Sequence, residues 1–471
     1  MIKEKCGVYA VKCDEEVFPK LYWGSLAQNH RGHESYGFLT YQNGLRRFVD
    51  LGLIPRIEKE DFQRWINLLP GNIGIAHVRY GTSGSRSAGL RYAQPIISSN
   101  GMRKIGIAYN GNIVNVGWLK KELKINNEVC DSELLCKYLN LSNDIVECVA
   151  KCMENIEGGY SVVGLDSNGN LFAFRDPYGI RPLVYGKLEN TIAISSESVG
   201  LDINNIKLEG EISPGELLII SKDNIEKIKI LKINRRAFCG FEFSYFSRPD
   251  SIINGKFVYK VREELGRRLG KRYEDYVRKA DLIISIPETA DDAAYGLHEE
   301  TGLRWERALR RHRFVTHRAF IMNPNDRSSI INMKINIADN ISGKNVIVVE
   351  DSIVRGDTTK IIVKKLRKAG ANKIFLFVTF PKITHPCFYG IDMATFSELI
   401  GFSTSNEEIA KLIGVDAVCY QENEDFVNII GGNLCMACTT GIYPTKIAQE
   451  IANKGKLIPN NKSRIYEYFE V

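Results

Sequence analysis

Short runs in which apolar residues alternate with small or polar ones dominate the first half of the chain. Residues 7–13, 73–76, 105–108, 160–165, 171–174, 191–195 and 216–220 each read as a strand. Two stretches repeat their apolar residues at helical spacing instead. Residues 19–28 begin with Pro19, which a first helical turn tolerates, and in 132–141 Leu134, Leu135, Tyr138 and Leu139 share one face. Many strands and few helices predict sheets faced by helices, an α+β layered domain. Past a basic stretch at 231–236 the pattern turns to alternating strands and helices. Strands are predicted at 281–286, 345–349, 373–380 and 417–420, and helices at 291–300, 358–369 and 406–413. That rhythm predicts an α/β domain with a parallel sheet, which takes ligands at the carboxyl ends of its strands. The expected division is a leader at 1–5, a first domain at 6–235, a second at 236–452 and a tail at 453–471.

Composition narrows the class without changing this division. The 471 residues are 44% hydrophobic and 25% charged, as in ordinary globular proteins, and suffice for two or three cores. A net charge of +7, from 63 basic and 56 acidic residues, suits a phosphorylated small substrate but lacks the dense basic patch of a nucleic-acid binder. Apolar runs such as 374–378 are too short to cross a bilayer, and residues 1–5 hold no apolar segment of a secretory signal. Eleven cysteines without an export signal point to reduced thiols and a cytoplasmic protein.

Four features of the first half carry candidate chemistry. Cys6 heads an apolar strand, where a cysteine commonly packs in a core. If residues 1–5 were removed, it would carry a thiol and a free α-amine together. An α-amine titrates near ~8 and can take the thiol proton, so one residue would be nucleophile and base. Arg79 lies just beyond the strand at 73–76 and could clamp a carboxylate with both arms of its guanidinium. Asn110-Gly111 follows the strand at 105–108. Such a pair usually makes a turn, but it can also aim a side-chain amide and a backbone N–H at one point, as an oxyanion hole requires. Asp131 stands where a helix begins, and would cap it or pair with an ammonium group.

The most specific string runs from Val346 to Thr359. A β-branched strand delivers Glu350 and Asp351 to its end, and Ser352, Ile353, Val354, Arg355, Gly356, Asp357 and Thr358 lead into a helix. Carboxylates so placed accept hydrogen bonds from ribose hydroxyls, while loop N–H groups and the helix N-terminus receive a phosphate. The plainer alternative is an acidic turn capped by Thr358. Cys435-Met436-Ala437-Cys438 is a C-x-x-C, which by itself fits zinc, redox chemistry or chance.

Together, the strings at 6–11, 29–35, 77–84, 110–115, 131–133, 175–183 and 196–198 closely resemble the glutaminase domain of the amidophosphoribosyltransferases. Those at 241–251, 346–359, 389–393 and 440–445 extend the resemblance to nearly the whole chain. It implies an N-terminal-nucleophile glutaminase domain of αββα layers followed by an α/β type I phosphoribosyltransferase domain. The implied reaction carries ammonia from glutamine to phosphoribosyl diphosphate, giving 5-phosphoribosylamine, glutamate and pyrophosphate at the first step of purine synthesis. Cys6 would be the nucleophile, Arg79 and Asp131 would hold the glutamine α-carboxylate and α-ammonium, and Asn110 with Gly111 would form the oxyanion hole. Residues 350–358 would bind phosphoribosyl diphosphate, with Thr289, Glu350 and Asp351 serving Mg²⁺. Cys239 and Cys387 match ligand positions of an iron–sulfur subgroup, and with Cys435 and Cys438 imply a [4Fe–4S] cluster. The family forms homo-oligomers inhibited by purine nucleotides, with no nucleic-acid or membrane partner implied.

Several positions depart from the family pattern. His33 replaces Gln, Tyr109 replaces His, and Glu350 replaces Asp. Thr289 lies in Ile286-Pro287-Glu288-Thr289-Ala290, where the family has a proline-Asp-Ser-Gly string. Asp357 stands in place of Thr, and 310–334, matching a mobile substrate loop, differs in spacing. These departures keep open a regulatory or binding paralogue with a weakened phosphoribosyltransferase site, and a glutaminase serving another acceptor. Cys13, Cys130, Cys136, Cys148, Cys152 and Cys419 read as core residues.

Overall fold

Two stacked antiparallel sheets account for the first half of the chain. The computed structural model describes residues 6–80, 86–101, 103–222, 224–232, 235–311, 335–337 and 341–457. The expected leader at 1–5, the end of the 77–84 string, most of 310–334 and the tail past 457 lie outside them. One sheet orders its strands Lys207–Glu211, Val184–Leu188, Thr191–Ser195, Gly7–Lys12, Ile73–Arg79, Ser35–Tyr41 and Leu45–Leu51. The other runs Ile225–Lys229, Glu216–Ile220, Leu171–Arg175, Gly158–Asp166, Lys104–Ile113 and Ile96–Ser99.

Alternation along the strands builds the layers. In Gly7–Lys12, Val8 and Ala10 enter a core shared with Ala108, Val163 and Ala173 of the facing sheet. Tyr9 and Val11 point the other way, onto Phe18 and Leu21 of the helix Phe18–Leu26. Across the stack, Ile107 and Tyr109 pack on Leu134 and Leu135 of the helix Asp131–Tyr138 and on Val149 of the helix Ile145–Asn155. The result is helix, sheet, sheet, helix. The strand expected at 105–108 extends over Lys104–Ile113, so Asn110-Gly111 is extended backbone here and forms no turn. Asn110 pairs with Ser161 and Gly111 with Tyr160, and a Cβ on Gly111 would lie 2.1 Å from the Gly159 carbonyl oxygen.

The second half forms a parallel sheet ordered Trp305–Glu306, Leu282–Ser285, Asn345–Glu350, Lys373–Pro381 and Ala417–Gln421. The helices Asp357–Lys368 and Asn406–Ile413 pack on one face, and Val258–Arg272 and Asp291–Thr301 on the other. From Leu282–Ser285 the chain runs first to the edge strand and then back to the opposite side. The switch point therefore falls between Leu282–Ser285 and Asn345–Glu350, where open α/β sheets bind ligands. Gly356 caps the helix Asp357–Lys368 with φ of 78°, so the cap is a glycine and not Thr358. The strand Phe238–Cys239 pairs with Leu434–Cys435 and ties the start of this half to its end. The helix Lys446–Lys456 runs across the expected tail boundary at 453. Among the described residues, no helix is long and apolar enough to cross a membrane.

Candidate active sites

The first site forms where Gly7–Lys12 and Ile73–Arg79 end side by side. Gly7 pairs with Val78, which brings Cys6 to the backbone of Tyr80. The Tyr80 N–H donates to Cys6 Sγ at 3.4 Å, and the thiol reaches the Tyr80 carbonyl at 3.5 Å. Burial pushes the thiol up to about 11, against the pull of the Tyr80 backbone and Arg79. Cys6 also feels the charge of Asp131, so three of the expected site residues converge. Arg79 Nη1 pairs with Glu34 Oε2 at 3.0 Å. Asp131 is the first residue of its helix and not its cap. Its Oδ1 accepts from the Ser132 N–H at 2.9 Å and its Oδ2 from the Tyr109 hydroxyl at 3.0 Å. Asn110 is buried, and its Nδ2 has no hydrogen-bond partner among the described residues. An unmet buried donor is costly, and an oxyanion arriving there would meet it. His77, kept neutral by burial at about 3, bonds the Tyr109 carbonyl through Nε2 at 3.0 Å and joins the two sheets behind the site.

The second site is a cavity of about 440 Å³ at the switch point of the parallel sheet. Thr289 and residues 350–359 line it, so all the expected sugar-phosphate residues stand together. Burial pushes the Glu350 and Asp351 carboxyls up, and their proximity pushes Glu350 further. Ser352 donates to Asp351 Oδ1 at 2.6 Å, Thr289 to Asp351 Oδ2, and Thr359 to Glu350 Oε2 at 3.3 Å. Two carboxylates held too close for comfort, beside hydroxyls, are a hard-oxygen donor set. Among the described residues, no three His, Cys, Asp or Glu form a metal-binding group. Mg²⁺ needs fewer, since it takes most of its ligands from water and substrate phosphates.

Cys239, Cys387, Cys435 and Cys438 meet in one buried place, although about two hundred positions separate the first from the last. Cys239 and Cys435 are register partners, and the Tyr389 N–H donates to Cys387 Sγ at 3.4 Å. Burial raises all four thiols, and Cys438 is raised further by the other three. Arg181 pulls three of them down. Its guanidinium is fully buried, lies 3.6 Å from Glu242 Oε1, and has no hydrogen-bond partner on any nitrogen among the described residues. A buried cation short of acceptors beside four thiols suits an anionic, sulfur-rich group.

Several polar residues at these sites were not assigned roles from the sequence. Tyr109, Gln94 and Glu34 brace the first site, and His30, Arg248 and Arg262 line the second. Between them lies a buried cluster. Arg31 bonds the Cys6 carbonyl through Nε at 3.0 Å, pairs with Glu197, and grips Glu242 at 3.0 and 3.1 Å. The available signal was charged residues inside the resembling strings at 29–35, 196–198 and 241–251 with no assigned role.

Comparison with known proteins places this architecture. A family model described as a glutamine amidotransferase domain matches residues 88–202. The chain is 36% identical to the amidophosphoribosyltransferase of Methanocaldococcus jannaschii, covering 94% of this chain and 98% of that one. It is 33% identical to the Bacillus subtilis amidophosphoribosyltransferase, covering 95% and 96%. A solved glutamine phosphoribosylpyrophosphate amidotransferase from B. subtilis, complexed with ADP and GMP, superposes with a TM-score of 0.85 at 33% identity. That match covers 94% of this chain and 98% of the neighbour.

Proposed function

The chain belongs to the amidophosphoribosyltransferase family, and we propose a division of labour between its two sites. The overall reaction moves ammonia from glutamine to phosphoribosyl diphosphate, the first step of purine synthesis, and releases glutamate and pyrophosphate. In the proposed division the boundary falls near 235. The first site hydrolyses the amide and the second accepts the ammonia.

One observation carries this reading. Cys6 lies within reach of both a guanidinium and a carboxylate, Arg79 and Asp131, opposite charges suited to the two ends of an α-amino acid. With the leader at 1–5 removed, the Cys6 amine takes the thiol proton and the sulfur attacks the glutamine amide carbon. The oxyanion is held by Asn110 Nδ2 and the Gly111 N–H. The proton passes to the leaving ammonia, and water then releases glutamate from the thioester. In the second half, Glu350 and Asp351 hold the ribose hydroxyls and the loop at 352–358 receives the 5′-phosphate. Thr289, Glu350 and Asp351 would hold Mg²⁺, which when bound neutralises charge on the departing pyrophosphate. Positioning then supplies most of the rate. Release of glutamate and of pyrophosphate, each measured with and without the other substrate, tests the division. Two independent activities with no mutual dependence would overturn it.

Three finer points complete the proposal. The chain works in the cytoplasm as a homo-oligomer, and purine nucleotides inhibit it; the ADP and GMP of the B. subtilis neighbour support nucleotide binding. Cys239, Cys387, Cys435 and Cys438 hold a [4Fe–4S] cluster, for which the acceptor-poor Arg181 is the support. Anaerobically purified protein should contain about four irons per chain, and Cys435→Ser should lose iron and thermal stability together. Stoichiometric zinc without iron would sink this assignment.

Asp357 is the third point. It is exposed at the first turn of the helix Asp357–Lys368 and lines the cavity. An anion in a phosphate loop repels the ligand. Asp357→Thr is expected to tighten phosphoribosyl diphosphate binding several-fold, about 1 kcal/mol, in calorimetric titration with Mg²⁺. Weaker binding by the variant would show that Asp357 supports the site, as would follow if its carboxylate stabilises the helix N-terminus.

A further inference from the structure

Tyr109 occupies an unusual position among the side chains of the first site. Its backbone is pinned on both sides: its N–H donates to Gln94 Oε1 at 2.7 Å, and its carbonyl accepts from His77 Nε2 at 3.0 Å and Gln94 Nε2 at 3.4 Å. Its ring is buried against the helix Asp131–Tyr138, packed with Leu134 and Leu135. Its hydroxyl donates to Asp131 Oδ2 at 3.0 Å, and the neighbouring Ser132 N–H holds Oδ1 at 2.9 Å. Burial, reinforced by Asp131, pushes the phenol far above its ordinary value, so it keeps its proton and donates.

We propose that Tyr109 is a specificity-determining positioning residue that orients the Asp131 carboxylate for the α-ammonium group of the amide substrate. The inference rests on Asp131 being the ammonium partner. A carboxylate on a helix N-terminus rotates about its side-chain bonds, and an ammonium ion rewards only the rotamer that faces it. The Ser132 N–H fixes one oxygen and the tyrosine hydroxyl fixes the other, so the carboxylate plane is set before substrate arrives. Because Asn110 follows Tyr109 directly, one residue also ties the ammonium site to the oxyanion donor. The order that Tyr109 imposes therefore discriminates α-amino-acid amides from amides that lack the amino group.

The test compares glutamine with glutaramate, the same amide without the α-amino group, in the parent, Tyr109→Phe and Asp131→Asn. Ammonia-dependent pyrophosphate release checks that each variant is folded. Tyr109→Phe keeps the ring and removes only the hydroxyl. Its KM for glutamine should rise about tenfold with kcat near the parent's, while kcat/KM for glutaramate should move less than about twofold. Equal losses on both amides would overturn the inference, because Tyr109 would then act through Asn110 or through the fold. So would an unchanged KM for glutamine. If Asp131→Asn discriminates between the amides as the parent does, the ammonium assignment itself fails. If Asp131→Asn loses discrimination and Tyr109→Phe keeps it, only the role of Tyr109 fails.

Discussion

Replacing Cys6 by alanine is expected to abolish glutamine-dependent synthesis, by at least about 10⁴-fold, and to leave ammonia-dependent synthesis within roughly twofold of the parent. The thiol is the proposed nucleophile, and the charges of Arg79 and Asp131 both act on it. Cys130 feels the same two charges, but it packs with Ser132 on the helix side and its sulfur bonds that hydroxyl at 3.1 Å. The cavity lined by Glu350 and Asp351 contains no part of Cys6, which is why added ammonia should bypass the lesion. Initial rates of pyrophosphate release with each nitrogen donor check the claim. Equal loss with both donors would mean that the two sites are not separate. The mass of the active protein supplies a companion result: it should lack residues 1–5, since Cys6 needs its α-amine as base. Active protein that retains them would exclude that base.

The second large effect concerns stability. Arg31→Met should lower the thermal denaturation midpoint by on the order of 10 °C. Arg31 is fully buried and neutralises Glu197 and Glu242, which come from opposite halves of the chain. Removing the cation takes from two buried carboxylates the partner they share, a loss of about 3–5 kcal/mol when one partner of such a cluster goes. Glu197 also bonds His30, the Ser251 hydroxyl at 2.7 Å and the Arg248 N–H at 2.9 Å. Burial pushes the Glu197 carboxyl up, but His30, Arg31 and Ser251 outweigh it and hold it down to about 2. A carboxyl depressed in the folded state contributes stability above its unfolded value, near ~4.3, and loses that contribution as pH falls toward 2. The parent should therefore lose stability as it is acidified through that window, and Arg31→Met should lose less there because its Glu197 is no longer depressed so far. A midpoint within about 2 °C of the parent at neutral pH would show that the cluster relaxes or hydrates when opened.

Much of this molecule was legible in the chain because local order carried it. The alternation of Val8 and Ala10 with Tyr9 and Val11 told both faces of the first strand, and each face found its layer. The run from Val346 to Thr359 placed a strand, an acid pair and a helix start within fourteen residues, so backbone geometry gathered that part of the second site, while Thr289, His30, Arg248 and Arg262 reach it from elsewhere in the chain. Where local signals were ambiguous, pairing across the sheet decided. Asn110-Gly111 reads as a turn, yet Ser161 and Tyr160 hold it extended, and the Gly159 carbonyl leaves no room there for a side chain. The helix Ile145–Asn155, with Cys148, Val149, Cys152 and Met153 on its buried face, was not predicted.

The sequence by itself therefore determined the strands with clear alternation and the layered fold class, but not strands such as Ser35–Tyr41 and Leu45–Leu51 that complete the first sheet. Tertiary structure alone decided which charges meet. Arg31 with Glu197 and Glu242, Tyr109 with Asp131, and Arg181 with three of the four thiols are joined across 22 to more than 200 positions. The physical reason is that periodicity records only which face of an element is buried. A buried charge must find its partner among whatever elements pack on that face, and that choice exists only once the chain has folded.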